Sequence, residues 1–292
     1  MNGILFAGCS FTWGQGLYHY SDLKRIPTME EWVFDYSLMT DALVNFKNTV
    51  RYPRMVANHF KTFEVCRDTN GGSDELSVQF IKTAFDMDDK INGSFDYLTK
   101  QKFKYEDISY VIFQTTQPYR SSFKFVYKDK TYYMWPNDLR TKMVRIAKLN
   151  SHGTYDEIEN PVDIFSDYLN ETNTGMEEWL EQHIQFLYDN IKETLITLEK
   201  NGVKTKVLNW PNDYVDMMLN DEFFKDRYIY LEHDGKKYKS IDELFLNVPN
   251  TMISKDYEFF GSNPPNDNHP SLLSQKIISD SIIKSINSDK LI

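Results

Sequence analysis

The sequence begins MNGILFAGCSFTWGQGL (residues 1–17), and its apolar run 3–8 ends abruptly at a turn of small residues that presents Ser10. A short, uninterrupted apolar run is typical of a parallel strand that is buried on both faces. Two interpretations of Ser10 compete. Its oxygen either caps the helix that follows, or it is a nucleophile at the carboxyl end of a strand, where α/β folds place their sites.

Further apolar runs alternate with helical patterns along the chain. Strands are predicted over 62–66, 108–116 and 203–210, and helices over 51–61, 76–87, 176–202 and 271–286. This alternation predicts a three-layer α/β/α fold with a flavodoxin-like parallel sheet and helices on both faces.

The chain is interpreted as one domain, 1–292, with inserted segments at about 18–48 and 121–175. Within the second insertion, residues 122–136 alternate and turn at Lys128-Asp129-Lys130, which predicts a hairpin. The stretch 137–175 is polar, and its pattern predicts irregular structure.

Composition excludes several classes of protein. The 292 residues carry 33 Lys and Arg against 43 Asp and Glu, a formal net charge of −10. An acidic chain argues against non-specific nucleic-acid binding and against a polybasic membrane anchor. Cys9 and Cys66 are too few for a disulfide framework.

Targeting signals are not evident in the sequence. It shows neither a signal-peptide pattern nor an apolar run near the roughly 18 residues of a membrane span. We therefore expect a cytoplasmic protein, or one associated with a virion if the chain is phage-encoded.

A serine nucleophile needs a general base, and six histidines are candidates. His59 and His183 lie in helical patterns, where surface or half-buried positions are expected. His19, His152 and His233 lie in polar segments predicted to be loops without ordered neighbours.

His269 is the strongest candidate for the base. It lies in the Pro/Asn-rich turn GSNPPNDNHPS (261–271), two residues after Asp267. Residues two apart in an extended backbone point to the same side, so Asp267 can orient the imidazole while the other ring nitrogen takes a proton from Ser10. The alternative is an Asx turn at Asp267 beside an incidental His269. A strand-ending serine elsewhere favours the catalytic interpretation.

Three segments resemble sequence blocks of the SGNH/GDSL hydrolases. FAGCSFTWG (6–14) resembles the first block, NGGSDEL (70–76) the second and DNHPSLLSQ (267–275) the last. Their order and spacing match that family over nearly the whole chain, apart from 18–48 and 121–175. The resemblance implies a serine hydrolase that requires no metal or cofactor.

Site residues follow from the resemblance, position by position. Ser10 would be the nucleophile, and its own backbone N–H would be an oxyanion donor. Gly71 would supply a second backbone N–H, with Gly72 as the alternative. His269 would be the general base, and Asp267 would orient it.

The third block departs from the family pattern. The family carries Gly-x-Asn-Asp after the third strand, whereas this chain has FQTTQPYR (113–120). Thr116 stands where the asparagine would fall, and Gln117 is the alternative; hydroxyl and amide groups are both donors. Arg120 either binds a substrate oxygen or pairs with an acidic residue of the insertion, and the pairing is slightly favoured.

The predicted function is hydrolysis of a small acyl ester through an acyl-serine intermediate. A carbohydrate O-acetyl ester is the preferred substrate, since Tyr127, Tyr132, Tyr133 and Trp135 in the insertion could stack on sugar rings; the same residues could equally fill a core. Two alternatives stay open: an acyltransferase on this scaffold, and a non-catalytic binding or structural phage protein that retains the fold.

No zinc cluster, P-loop or dinucleotide fingerprint is present in the sequence.

Overall fold

The computed structural model describes residues 1–21, 41–66, 72–87, 102–135, 145–149, 155–157 and 161–289. Its central sheet has four parallel strands, which are β1 (Gly3–Ala7), β2 (Glu64–Cys66), β3 (Ile108–Gln114) and β8 (Lys204–Leu208). They are ordered β2-β1-β3-β8. The chain thus leaves β1 toward one side and returns to the other, as in flavodoxin-like sheets, so the carboxyl ends of β1 and β3 flank a switch point.

Helices cover both faces of this sheet, because the strand residues alternate between two cores. Leu5 and Ala7 of β1 face one layer, formed by α4 (Asp74–Ala84), α6 (Met176–Lys200), α7 (Val215–Asn220) and α8 (Glu222–Lys225). Ile4 and Phe6 face the other, formed by α3 (Tyr52–Phe60), α9 (Ile241–Asn247) and α11 (Leu272–Ser288). The predicted three-layer α/β/α fold is confirmed.

A second, antiparallel sheet lies in the inserted segment after β3. Its strands pair in sequence order: β4 (Phe123–Tyr127), β5 (Lys130–Trp135), β6 (Arg145–Leu149) and β7 (Tyr155–Glu157). The predicted hairpin is confirmed, with Lys128 and Asp129 at positive φ in the turn. The irregular structure predicted for 137–175 is wrong for its described part, which holds β6, β7 and helix α5 (Pro161–Thr172).

Aromatic residues of the insertion form its own core. Phe125, Tyr127, Tyr132 and Met134 pack on α5 and on the start of α6 through Phe165, Leu169 and Trp179. Tyr127 and Tyr132 are each 6 % exposed. The suggestion that these two tyrosines stack on a sugar is therefore wrong, because their rings face the core. Tyr133 is half-buried.

Most helix boundaries lie close to the sequence predictions. The predicted helix 176–202 spans Met176–Lys200. Helix α4 begins earlier than expected, because Ser73 caps it by accepting a hydrogen bond from the Leu76 N–H at 3.2 Å. The remaining described α-helices are α1 (Ser10–Trp13), α2 (Asp41–Val50) and α10 (Tyr257–Phe260). The remaining strands, β9 (Leu231–His233) and β10 (Lys236–Tyr238), form a hairpin. The loop predicted at His233 is therefore wrong.

Candidate active site

The turn after β1 exposes the hydroxyl of Ser10 to a partner instead of using it as a helix cap. A side chain at Gly8 would lie 2.2 Å from Thr12 Oγ1, so glycine permits the sharp reversal. Cys9 adopts an extended backbone and occupies the N-cap position of α1, which places Ser10 at the first helical position. The capping interpretation of Ser10 is therefore wrong.

The segment that carries His269 is held by a neighbouring stretch of backbone. The Ile253 N–H donates to the carbonyl of His269 at 3.0 Å, and the Ser254 N–H donates to the carbonyl of Asp267 at 2.7 Å. Ser271 then caps α11. Both ends of the segment are fixed, so the position of the imidazole is set by backbone hydrogen bonds.

Ser10, His269 and Asp267 form a hydrogen-bonded chain. His269 Nε2 lies 2.9 Å from Ser10 Oγ, and His269 Nδ1 lies 2.6 Å from Asp267 Oδ1. Asp267 Oδ1 also accepts the His269 backbone N–H at 2.9 Å. Asp267 therefore makes an Asx-type turn and holds the imidazole at the same time, so the two interpretations proposed for it are compatible.

The charge of Asp267 determines which atom donates in each hydrogen bond between Ser10, His269 and Asp267. Burial raises the pKa of the Asp267 carboxyl, but hydrogen bonds from His19 and His269 outweigh burial and hold that pKa well below its ordinary value. An ionised carboxylate only accepts, so Nδ1 of His269 donates to it. Nε2 is then the acceptor for the Ser10 hydroxyl, as a general base requires.

His19 is a neighbour of this site that the sequence did not reveal. Its Nε2 lies 3.5 Å from Asp267 Oδ2, so the loop predicted for His19, without ordered neighbours, is wrong. His19 belongs to the 3-10 turn Leu17–Tyr20, and the Tyr20 hydroxyl anchors that turn by donating to Asp256 at 2.6 Å. The only signal for it in the sequence is its place in a Tyr/His-rich segment shortly after Ser10.

Gly16 lets the carboxylate approach this turn. It has a φ of +82°, and a side chain there would lie 2.6 Å from Asp267 Oδ2. Glycine satisfies both the backbone conformation and the close approach.

Aromatic rings support the imidazole from the side. Phe11 meets His269 edge-on, with ring centroids 5.4 Å apart, and Trp210 packs against Phe11 at 4.1 Å. Trp210 comes shortly after β8, so its ring reaches the site from a third strand end. These contacts limit rotation of the imidazole without using its nitrogens.

A buried polar network lies behind Ser10. Thr12 Oγ1 is 2.7 Å from both the Tyr52 hydroxyl and Gln114 Oε1, and Gln114 Nε2 donates to Cys9 Sγ at 3.3 Å. Burial raises the pKa of the Cys9 thiol, which keeps it protonated and unreactive although it adjoins Ser10. The signal in the sequence was a polar Gln114 at the end of an apolar strand.

The predicted oxyanion donors differ in their surroundings. The Ser10 N–H lies in the first turn of α1, where backbone N–H groups have no partner within the helix. The Thr116 N–H donates to Asp74 at 2.7 Å, and the Thr116 hydroxyl donates to the Gln117 carbonyl at 3.5 Å, a long contact that the hydroxyl would exchange for an oxyanion. Gln117 is half-buried and Gly72 is buried before the α4 cap, while Gly71 lies outside the described residues.

Arg120 lies against an aromatic ring. Its guanidinium carbon is 4.8 Å from the centroid of the Trp210 ring, and no described acidic side chain forms an ion pair with it. The pairing with an acid of the insertion stays a prediction, because much of the insertion lies outside the described residues.

Two absences hold for the residues that the structure describes. They contain no group of three or more His, Cys, Asp or Glu side chains arranged to hold a metal ion. None of their helices combines the length and the apolar character that crossing a membrane would require.

His183 is also buried, contrary to the surface or half-buried position predicted for it. It is 1 % exposed in α6, and its ring stacks on Trp179. Burial lowers the pKa of His183 to about 4, so it is neutral in the folded protein near pH 7.

The chain matches no protein-family model, and it has no significant similarity to a curated protein or to a solved structure.

Proposed function

We propose that the protein is a serine esterase that cleaves a small acyl ester through an acyl-serine intermediate. The observation that carries this proposal is the hydrogen-bonded chain of Ser10, His269 and Asp267, with contacts of 2.9 and 2.6 Å. A hydroxyl, an imidazole and a carboxylate in this order constitute the arrangement by which unrelated folds activate a serine.

The mechanism follows from the proton assignments. Ser10 Oγ attacks the ester carbonyl carbon while Nε2 of His269 takes the hydroxyl proton, and Asp267 stabilises the imidazolium. The imidazolium then gives that proton to the leaving alcohol. Water, deprotonated by His269, attacks the acyl-serine and releases the acid, which restores Ser10.

The tetrahedral intermediates need donors for their negative oxygen. The Ser10 N–H and the Thr116 hydroxyl are proposed for this role, together with a backbone N–H of the Gly71-Gly72 turn. Loss of one such donor typically costs ~2.7–4 kcal/mol of transition-state stabilisation. That the substrate contains a carbohydrate stays a prediction. Tyr127 and Tyr132 do not support it, because their rings are in the core.

The first test compares 4-nitrophenyl acetate and butyrate as substrates of the wild type and of Ser10→Ala. Ser10→Ala removes the nucleophile, so we expect kcat to fall by at least about 10³-fold. Ser288→Ala is the matched control, because that exposed serine bonds only to the carbonyl of Lys284 in its own helix. Spectrophotometric release of 4-nitrophenol gives the rates.

A fluorophosphonate that labels serine nucleophiles provides a second measurement. We expect mass spectrometry to find the adduct on the peptide that contains Ser10. Equal ester turnover by wild type and Ser10→Ala, with no adduct at Ser10, would contradict the proposed function.

A further inference from the structure

Arg120 lies at the same edge of the sheet as the candidate catalytic residues. It ends the 3-10 turn Pro118–Arg120, which follows β3. Its guanidinium packs on Trp210, and Trp210 packs on Phe11, the residue after Ser10. Two ring contacts therefore connect the guanidinium to the residue that supports His269.

The guanidinium has hydrogen-bonding capacity that the protein does not use. Among the described residues, the buried Nη1 of Arg120 has no hydrogen-bond partner, and no acidic side chain forms an ion pair with the guanidinium. A buried donor without an acceptor is costly. A guanidinium has five N–H donors in a planar fork, and Arg120 as a whole is only half-buried, so part of the residue is exposed.

Asp74, a buried acid whose carboxyl is affected by the charge of Arg120, has other hydrogen-bond partners. Its two oxygens accept hydrogen bonds from the Thr116 N–H at 2.7 Å and from the Tyr214 hydroxyl at 3.0 Å. Each oxygen of Asp74 therefore has a donor other than Arg120.

The charge of Arg120 nevertheless acts on the turn that carries the nucleophile. Burial raises the pKa values of the Cys9 thiol and the Asp74 carboxyl, and the positive charge of Arg120 opposes both increases. Geometry agrees with this effect: the guanidinium carbon is 4.8 Å from the Trp210 centroid, and Trp210 packs at 4.1 Å on Phe11, which directly follows Ser10. An anion bound to Arg120 would therefore lie on the side of the site where Ser10 stands.

We propose that Arg120 binds a carboxylate carried by the ester substrate and so determines specificity for acidic esters. The inference rests on the proposed esterase function. A guanidinium fork matches the two oxygens of a carboxylate. A single cation suits one negative charge, and this favours a carboxylate over a phosphate dianion.

The test uses two pairs of esters, each an acid and its methyl ester. In 4-acetoxybenzoate the carboxylate is on the alcohol portion, and in mono-4-nitrophenyl adipate it is on the acyl portion. The quantity measured is the ratio of kcat/KM for the acid to kcat/KM for the methyl ester. We expect wild type to prefer the acid in one pair, and Arg120→Gln to lower that ratio by about 10- to 100-fold.

Two further variants separate recognition from general charge effects. Arg120→Lys keeps the charge but loses the fork, so we expect an intermediate ratio. Lys276→Gln removes an exposed charge on α11, paired only with Asp280 in its own helix, and should leave the ratio as in wild type. A wild type without preference for either acid, or a ratio that Arg120→Gln does not change, would overturn the proposal.

A direct measurement of acid binding tests the carboxylate site separately from the proposed esterase function. Adipate and 4-hydroxybenzoate are titrated calorimetrically into the wild type and into Arg120→Gln, which requires no turnover. Binding of either acid that weakens at least about tenfold in Arg120→Gln supports the carboxylate site even if no ester is cleaved. Failure of both acids to bind wild type, or equal binding to both proteins, overturns it.

Discussion

Ser10 is the first residue of α1, and the neighbouring Cys9 takes the capping position, although its side chain makes no capping hydrogen bond to the helix. The serine hydroxyl is therefore not needed by the helix. It bonds to an imidazole that comes 259 residues later in the chain. At the scale of single residues, Ser10 is a candidate nucleophile because Cys9 takes the N-cap position and leaves the serine hydroxyl to His269.

His19 acts at the same scale, as a positioning residue for Asp267. Replacing it with leucine removes the 3.5 Å contact between His19 Nε2 and Asp267 Oδ2, so the carboxylate is held less firmly against His269. We expect His19→Leu to lower kcat for 4-nitrophenyl acetate by about 5- to 30-fold, with KM little changed. His19→Gln keeps a donor and should recover part of the loss.

Acid unfolding gives an independent measure of His19. The pKa of Asp267 is depressed in the folded protein, so its contribution to stability is present above the unfolded pKa of 3.8 and is lost as pH falls through the folded value. Loss of the His19 bond raises the folded pKa of Asp267. His19→Leu should therefore unfold at a higher pH than wild type during acid titration; an unchanged midpoint and unchanged kcat would contradict this role.

At the scale of elements, the start of α4 joins two strand ends. Asp74 is fully buried in the first turn of the helix and accepts hydrogen bonds from Thr116 after β3 and from Tyr214 before α7. Burial raises its pKa to about 7, although those hydrogen bonds and Arg120 oppose the increase. The helix thus carries a carboxyl group that stays protonated in the folded protein below about pH 7.

Asp74 makes stability depend on pH in a predictable direction. Between pH 3.8 and about 7 the folded protein keeps a proton that the unfolded chain has released, so this group lowers the free energy of unfolding as pH rises. Asparagine has no such proton and can still bond to Thr116 and Tyr214. Relative to Asp74→Asn, wild type should lose about 2–3 kcal/mol between pH 5 and pH 8.

Urea unfolding at the two pH values measures this difference. Asp163→Asn is the control, because Asp163 is exposed in α5 and its replacement should leave the pH dependence unchanged. His183 has a lowered pKa, so it makes the free energy of unfolding rise with pH between about pH 4 and its ordinary pKa of 6.5. Both proteins contain His183, so this contribution cancels when wild type is compared with Asp74→Asn. Parallel pH dependence in wild type and Asp74→Asn would refute the assignment.

At the scale of the whole molecule, one core brings the ends of the chain together. Ile4 and Phe6 of β1 share a cluster with Ile278, Ile282 and Ile286 of α11. Ser10 follows β1 and His269 precedes α11, so packing in this core determines whether the two residues meet.

Ile282→Ala tests the energetic importance of that core. Ile282 is fully buried, and its truncation should lower the free energy of unfolding by about 2–5 kcal/mol through lost burial and a residual cavity. Ile283→Ala is the matched control, since this neighbour is only half-buried and should cost less. Urea unfolding gives both values. Equal losses in the two variants would argue against the packing described for α11.

The sequence could predict the central sheet and its helices because their signals are local. The apolar run in β1 and the stripe of α6 follow from the periods of strands and helices. Strands β6 and β7 were missed since both are short, and their signals are weak without a partner strand. Strand β6 pairs with β5 and β7 pairs with β6, contacts that the local sequence does not specify. The aromatic residues Tyr127 and Tyr132 looked the same in sequence whether they bind a ligand or fill a core.

For the candidate site too, local sequence patterns predicted some residues and could not predict others. Ser10, Asp267 and His269 were accessible from sequence because strand-end and turn patterns mark where reactive side chains can stand. The contact of His19 with Asp267 and the packing of Arg120 on Trp210 were not. Such contacts join residues from segments far apart in the chain, and their distances depend on the order of the strands and the packing of helices across the sheet, which no local period encodes.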